Sequence, residues 1–230
     1  MKGLYVHIPF CLKKCKYCDF NSFCFSKADK ERYLKALFCE MDKYKGTSCD
    51  TVFIGGGTPT SLNTEEMSQL LKKINECFTL SENCEFTVEA NPKTVDKEKL
   101  DVMLKSGVNR LSVGVQSFND NELLKLGRVH SKREAIETIR LARDCGFKNI
   151  SIDLMCAIPD QTTDSFKKNL EKTFLLNPEH ISCYSLILEE NTPLFNEYKK
   201  GLLNLPDEDT EREVYELACS ELEKKRILSV

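Results

Sequence analysis

The chain lacks a surplus of positive charge. Its 230 residues include 33 lysines and arginines against 36 aspartates and glutamates, which gives a net charge of −3. Neutralising the phosphates of a nucleic acid requires a basic surplus, and no basic tract supplies one locally. The composition therefore excludes a generic nucleic-acid-binding protein.

Long apolar runs are also missing. No stretch approaches the ~20 apolar residues that cross a bilayer, so we expect no membrane span. The opening "MKGLYVHIPF" carries one lysine and too short an apolar run for a signal peptide, and we therefore expect a cytoplasmic location. No linker or low-complexity segment interrupts the pattern, which favours one domain over residues 1–230.

Cysteine, in contrast, is abundant, with twelve residues. In a chain of this size without signs of secretion, reduced thiols are the better interpretation. Six cysteines stand singly in apolar segments and are interpreted as small core residues: Cys39, Cys77, Cys145, Cys156, Cys183 and Cys219. Three others, Cys11, Cys15 and Cys18, lie together in "HIPFCLKKCKYCDF" at 7–20.

The spacing of these three cysteines leaves two kinds of metal site open. Structural zinc generally takes four ligands, commonly as two separated pairs, and Cys24 or His7 would have to complete the set. A zinc-stabilised binding module is therefore one alternative. An iron–sulfur cluster held by three thiolates, with one iron open to another ligand, suits the odd count better.

Short β-rich runs alternate with helical patterns along the chain. The runs lie at 4–8, 50–55, 85–90, 110–115, 149–155 and 180–187. Helical spacing appears at 30–44, 64–78, 131–146 (which ends on Gly146) and 209–225. The alternation predicts a parallel sheet, and six units cannot close an eight-stranded barrel. We expect an α/β fold, a partial (β/α)6 TIM-like barrel whose sixth strand is an edge, with the apolar "RILSV" at 226–230 leading into a further element.

Polar residues and glycines mark the predicted C-terminal ends of the strands. The cysteines follow the first strand, "GGGTP" (55–59) the second, and Glu89, Gln116 and Asp153 end the next three. Each has an ordinary explanation, because such residues commonly form or cap turns. Barrels of this type collect their functional residues at this rim, so the shared position makes the set a candidate small-ligand site. His130 and His180 are interpreted as structural or exposed residues. Arg128 follows the loop after the fourth strand, where a cation could meet a carboxylate, although taken alone a solvated arginine is its ordinary interpretation.

Taken in order, six segments resemble one family: "YVHIPFCLKKCKYCDF", "FIGGGTPT", "FTVEANP", "RLSVGVQSFND", "IDLMCAIPDQT" and "ISCYSLILEENTPL". They are similar to radical S-adenosylmethionine (SAM) proteins of the oxygen-independent coproporphyrinogen III oxidase type. The resemblance implies that Cys11, Cys15 and Cys18 bind a [4Fe–4S] cluster that chelates SAM and can cleave it to a 5'-deoxyadenosyl radical. It further implies contacts to SAM from eight residues and places Tyr17 beside the cluster. The eight residues are Tyr5, Gly56, Gly57, Thr58, Glu89, Gln116, Arg128 and Asp153.

Asp19 distinguishes two branches of this family. The oxidases carry a further cysteine two places after the third, whereas this chain has Asp19 and Phe20 after Cys18. The sequence "CDF" resembles the heme chaperones, which bind heme and transfer it to apoproteins. We therefore expect a heme chaperone with heme, apo-hemoproteins and an electron donor as partners. An oxidase acting on a porphyrinogen is the alternative.

Both branches have a further C-terminal domain beyond the segments matched here. The sequence is therefore expected to be the radical SAM core domain alone. The heme-binding signature of the chaperones, His-Asn followed shortly by Tyr-Trp, belongs to the further domain, and this chain has no tryptophan. We expect the chain to hold the cluster and SAM, to self-associate and to bind heme poorly.

Overall fold

The computed structural model describes residues 2–224, which contain six strands in one sheet in the order β1-β2-β3-β4-β5-β6. The strands are β1 (Gly3–Ile8), β2 (Thr47–Gly56), β3 (Phe78–Ala90), β4 (Arg110–Gln116), β5 (Asn149–Cys156) and β6 (His180–Ser185). The pairs β1–β2, β2–β3 and β5–β6 are parallel. β1 and β6 are edges, so the sheet is open, and the predicted α/β fold with a partial barrel is confirmed.

Helices alternate with these strands. They are α1 (Lys27–Asp42), α2 (Thr64–Cys77), α3 (Lys97–Lys105), α4 (Asp120–Lys125), α5 (Lys132–Cys145), α6 (Thr163–Leu176), α7 (Pro193–Lys199) and α8 (Glu208–Lys224). Among the helices of residues 2–224, none combines the length and the apolar composition that crossing a membrane requires.

Local sequence signals explain several helix ends. Asn63 and Glu66 form a reciprocal capping box at the start of α2. Gly146 follows α5 with a φ of +113°, as its predicted place at a helix end requires. In α8, Val214 and Ala218 are buried, as the predicted apolar face of 209–225 indicated. The segment "RILSV" lies outside the described residues.

All six predicted strands are present, but β3 is longer than expected. It begins at Phe78 rather than at residue 85, because Thr47–Cys49 of β2 pair in register with Phe78–Leu80. An irregularity between Cys49 and Thr51 separates this extension from the rest of the ladder. Pairing with a neighbouring strand therefore extends β3 beyond its apolar run.

The described chain divides into two compact units. The first comprises the residues up to Lys14 together with Phe20–Ser112 and Leu141–Asn149. The second comprises Cys15–Asp19, Val113–Arg140 and the residues from Ile150 onward. In the first unit the fully buried residues include Ile54 on β2, Val88 on β3 and Ile74 on α2, and in the second they include Ile150, Ile152 and Leu154 on β5.

Candidate cofactor site

Cys11 lies at the base of the loop that follows β1. Its N–H donates to the Phe23 carbonyl at 2.9 Å, and the Phe23 N–H donates to the Pro9 carbonyl at 2.8 Å. The loop ends are thereby held together in a β-bridge between Phe10 and Phe23. The thiol of Cys11 is partly buried, and none of the twelve cysteines, all of which lie within residues 2–224, is in a disulfide.

The glycine turn after β2 packs directly against this loop. The N–H groups of Gly57 and Thr58 donate to the carbonyls of Ile8 and Phe10 at 2.8 and 2.7 Å. A Cβ on Gly57 would lie 2.8 Å from the Phe10 oxygen and 3.0 Å from Cys11 Sγ. The Thr58 hydroxyl lies 3.7 Å from the same sulfur. Glycine is therefore required at this position, because the cysteine-bearing backbone passes within contact distance.

Gly56, Glu89, His7 and Tyr5 form a second contact group in the first unit. The Gly56 N–H donates to Glu89 Oε2 at 3.1 Å, and a Cβ on Gly56 would lie 2.6 Å from the His7 ring. His7 Nε2 lies 3.0 Å from the Asn21 carbonyl, so Nε2 carries the proton and Nδ1 accepts from the Tyr5 hydroxyl at 3.1 Å. Burial, and then the Glu89 charge, raise the pKa of Tyr5, which stays a neutral donor.

In the second unit, Arg128 contacts the middle cysteine. Its Nη1 donates to Cys15 Sγ at 3.4 Å and to the Tyr17 hydroxyl at 3.5 Å, and its Nη2 donates to the Gly114 carbonyl at 2.5 Å. Burial disfavours the guanidinium charge, but Tyr17 and Cys15 outweigh it and raise the pKa of Arg128 above its usual value. Burial raises the pKa of Tyr17, because the phenolate is the charged form. The guanidinium of Arg128 therefore contacts protein groups rather than solvent alone, which disfavours the ordinary interpretation of a solvated arginine.

The backbone around Cys15 and Cys18 is anchored on both sides. The Lys16 N–H donates to the Leu126 carbonyl at 3.0 Å, and the Leu194 N–H donates to the Lys16 carbonyl at 2.9 Å. The Cys18 N–H donates to the Cys15 carbonyl at 3.3 Å, which closes a turn. Both sulfur atoms therefore project from a segment whose main chain is fixed.

Gln116 and Asp153 lie on neighbouring strands of the second unit. Gln116 ends β4 with a φ of +68°, which is uncommon for a residue other than glycine, and it is 5% exposed. Its Oε1 accepts from the Tyr184 hydroxyl at 2.8 Å. The contact of Tyr184, on β6, could not be predicted from the sequence, because only its place in a predicted strand was evident. The prediction that Asp153 ends the fifth strand is wrong, because β5 continues through buried residues to Cys156. Asp153 lies within the strand, where it pairs with Ser182.

The structure does not favour Cys24 or His7 as a further zinc ligand. Within residues 2–224 no group of three or more His, Cys, Asp or Glu side chains, Cys11, Cys15 and Cys18 included, is arranged to hold a metal ion. Cys24 is exposed, with its thiol 3.7 Å from the Leu12 carbonyl, and both ring nitrogens of His7 are engaged in hydrogen bonds. In an iron–sulfur cluster, by contrast, each thiolate binds a separate iron.

Sequence and structure comparisons find similar proteins over most of the chain. The family model described as Radical SAM superfamily matches residues 5–173. The heme chaperone HemW of Bacillus subtilis is 43% identical over 228 residues, which cover 97% of this chain and 60% of that protein. The heme chaperone HemW of Escherichia coli is 38% identical over 219 residues, which cover 93% of this chain and 57% of that protein.

Among solved structures, the coproporphyrinogen III oxidase HemN from Escherichia coli, described as a radical SAM enzyme, superposes with a TM-score of 0.86 at 30% identity. The match covers 96% of this chain and 52% of HemN. The chain thus spans 60% of the length of the Bacillus subtilis relative and about half of HemN.

Proposed function

The chain belongs to the radical SAM superfamily, and from this premise we propose that it works in heme metabolism as a heme chaperone, binding heme and transferring it to apoproteins. Membership of the superfamily implies a [4Fe–4S] cluster and SAM as cofactors. The observation that carries the finer proposal is the 43% identity to the heme chaperone HemW of Bacillus subtilis. Phe20 stands where the oxidases carry their further cysteine, so the sequence Cys18-Asp19-Phe20 points to the same branch.

The cysteine loop suits the cluster. Cys11, Cys15 and Cys18 are free, partly buried thiols, the soft ligands that iron–sulfur clusters require. Gly57 leaves room beside Cys11 that a side chain would fill, and Arg128 places a cation beside Cys15. We assign these three thiolates to three irons of the cluster. When bound, the cluster and SAM supply one-electron chemistry at a carbon–sulfur bond.

We assign the glycine turn and its neighbours to SAM. The backbone of Gly56, Gly57 and Thr58 lets a ligand approach closely. The Glu89 carboxylate, held by the Gly56 N–H, is suited to accept from an ammonium or hydroxyl group, and Tyr5 lies nearby through His7.

The second unit contributes the remaining proposed SAM contacts. Gln116 and Asp153 offer an amide and a carboxylate on β4 and β5. Arg128 offers a cation that complements a carboxylate, and Tyr17 is the aromatic residue beside it.

An oxygen-independent coproporphyrinogen III oxidase is the second candidate function. The observation in its favour is the likeness to HemN, with a TM-score of 0.86 over 96% of this chain. In this case the chain would act on a porphyrinogen rather than on heme, and the proposed cofactors would be the same.

Anaerobic reconstitution with iron and sulfide, followed by parallel titrations with heme and coproporphyrinogen III in the presence of SAM, separates the two functions. The expected result is weak but measurable heme uptake, transfer of that heme to an apo-hemoprotein, and unchanged coproporphyrinogen III. Decarboxylation of coproporphyrinogen III would overturn the chaperone proposal in favour of the oxidase. Failure to take up heme once the cluster and SAM are bound would contradict the proposed heme binding.

A further inference from the structure

The first unit has a cavity whose lining includes none of the residues assigned to SAM. It has a volume of about 500 Å³ and is lined by the cysteine loop, the start of α1, the turn between β2 and α2, and the segment between β3 and α3. This volume falls in the range of small-molecule sites, roughly 300–1,000 Å³. The cavity is called the lysine cavity below, after the four lysines that line it: Lys27, Lys30, Lys93 and Lys99.

The charge of the lysine cavity is opposite to that of the chain. Four lysines line it, whereas the chain as a whole carries −3. Its two carboxylates, Glu66 and Asp96, are engaged in helix caps: Glu66 Oε2 accepts from the Asn63 N–H and Asp96 Oδ1 from the Lys99 N–H, each at 2.8 Å. Four lysines against these two carboxylates leave the lining with an excess of positive charge.

Lys99 is the buried member of this group, with 7% of its surface exposed. Its Nζ donates to the carbonyls of Thr60 and Thr94, both at 2.7 Å, which uses two of the three ammonium hydrogens. Within the part of the chain that the structure describes, no carboxylate lies within ion-pair distance of this nitrogen. Burial lowers the pKa of Lys99, because the cost of desolvating the ammonium outweighs the opposing effect of the nearby Asp96 charge. An anion in the cavity would bring a negative charge within ion-pair distance of this nitrogen.

Two further features of the lining suit an organic anion. Helices α2 and α3 begin at the cavity, since Asn63 and Asp96, which precede them, are part of its wall, and helix N-termini favour negative charge. Leu12, Phe25 and Leu62 add apolar surface on which a carbon skeleton can lie. Lys30 reaches the wall beside them, donating from Nζ to the Ser61 carbonyl at 2.9 Å.

We propose that the lysine cavity binds a small organic oxyanion, a molecule whose phosphate or carboxylate group is held by Lys99 and Lys30. The proposal is independent of the function proposed above, because it requires neither the cluster nor SAM. Both ligand chemistries present anionic oxygens that accept from ammonium groups.

Isothermal titration calorimetry on the full chain at low ionic strength tests the proposal with two probes, inorganic pyrophosphate and citrate. At least one probe is expected to bind, and the tighter one identifies the phosphate or the carboxylate class. Lys99→Met should weaken that binding by about tenfold or more, because a charge-assisted hydrogen bond is lost. Lys30→Gln, at a less buried position, should weaken it about threefold and serves where Lys99→Met does not fold.

Lys35→Gln is the matched control, since Lys35 is exposed on the same helix as Lys30 and does not line the cavity. It should leave the affinity within about twofold of the parent. The proposal is overturned if neither probe binds in the millimolar range, or if Lys30→Gln and Lys99→Met bind both probes as tightly as Lys35→Gln does.

Discussion

Cys11, Cys15 and Cys18 are each expected to bind one iron. Cys24, by contrast, is exposed, and its thiol lies near the Leu12 carbonyl. Cys11→Ala, Cys15→Ala or Cys18→Ala should therefore abolish cluster assembly, since three thiolates already leave one iron without a protein ligand. Iron and sulfide analysis after anaerobic reconstitution measures the effect. Cys24→Ala is the control and should retain parental iron; a loss equal to that of the other variants would show that the ligand set is wrong.

Gly57 is expected to tolerate no side chain. In Gly57→Ala the new methyl group would lie 2.8 Å from the Phe10 oxygen and 3.0 Å from Cys11 Sγ, so the turn or the loop must move. Overpacking of this kind costs about 1–3 kcal/mol. Because the displaced turn carries proposed SAM contacts, we expect SAM affinity to fall by roughly tenfold or more. Calorimetry on the reconstituted protein measures this affinity.

Gly3→Ala is the matched control for Gly57→Ala. A Cβ on Gly3 would meet the end of the Thr51 side chain at 3.0 Å, and that hydroxyl can rotate away. Its SAM affinity should stay near that of the parent. Equal affinities for Gly57→Ala and Gly3→Ala would argue against the placement of SAM at the glycine turn.

His130 is buried, as the structural interpretation required, and its Nε2 lies 3.1 Å from the Val115 carbonyl. Burial, and then the Arg128 charge, lower the pKa of His130 to about 3. An unfolded histidine titrates near 6.5, so the unfolded chain binds the extra proton first. The unfolding free energy that depends on neutral His130 is therefore fully present above about pH 6.5. It is lost as the pH falls toward 3, at up to ~1.4 kcal/mol per pH unit.

The variant His130→Gln isolates this effect, because an amide can still donate to the Val115 carbonyl without titrating. Between pH 7 and pH 5 the parent should lose about 2 kcal/mol more of its unfolding free energy than the variant does. Urea denaturation of the chain without cofactors at the two pH values provides the measurement. An identical pH dependence in both proteins would show that His130 is not the titrating group.

At the scale of elements, a buried carboxylate joins α4 to α6. Glu122, 4% exposed, accepts on Oε2 from Ser117 Oγ at 2.5 Å, Gln161 Nε2 at 3.1 Å and Asn169 Nδ2 at 3.0 Å. On Oε1 it accepts from Ser165 Oγ at 2.8 Å. Of these four donors, Ser117 follows β4, Gln161 follows β5, and Ser165 and Asn169 lie on α6. The carboxylate of α4 therefore connects both turns with α6.

Removing this carboxylate should destabilise the fold. Glu122→Ala leaves the four donors without their acceptor and should cost roughly 3 kcal/mol in unfolding free energy. Urea denaturation followed by circular dichroism gives the value. Glu137→Ala, which breaks only the exposed pair with Arg133 on α5, should change stability by less than about 1 kcal/mol. A cost for Glu122→Ala no larger than that of Glu137→Ala would contradict this account.

Local patterns predict the elements but not the contacts between them. The buried strand β5 and the Asn63–Glu66 cap of α2 each depend on residues that are close together in sequence, and both are present. The Glu122 network could not be foreseen, because its partners lie as far away as Asn169. The Arg128–Cys15 contact joins residues 113 positions apart, and polar residues carry no periodic signal over such distances.

At the scale of the whole sheet, the inner strand β5 and the edge strand β6 differ in burial. Six of the eight residues of β5 are buried, whereas every residue of β6 is at least partly exposed. Ile187, just beyond β6, is 68% exposed. An edge strand with adjacent apolar surface is a template for pairing with another chain.

The chain is therefore expected to self-associate through this edge. Its weight-average mass in light scattering or sedimentation equilibrium should rise with concentration. Ile187→Lys places a charge beside the edge and should shift association to higher concentration by several-fold. Leu175→Lys, at an 85% exposed position on α6, is the matched control for adding the same charge elsewhere and should associate as the parent does. A parent that stays monomeric at all concentrations would refute the expectation. An equal effect of both lysines would instead assign the association to net charge rather than to β6.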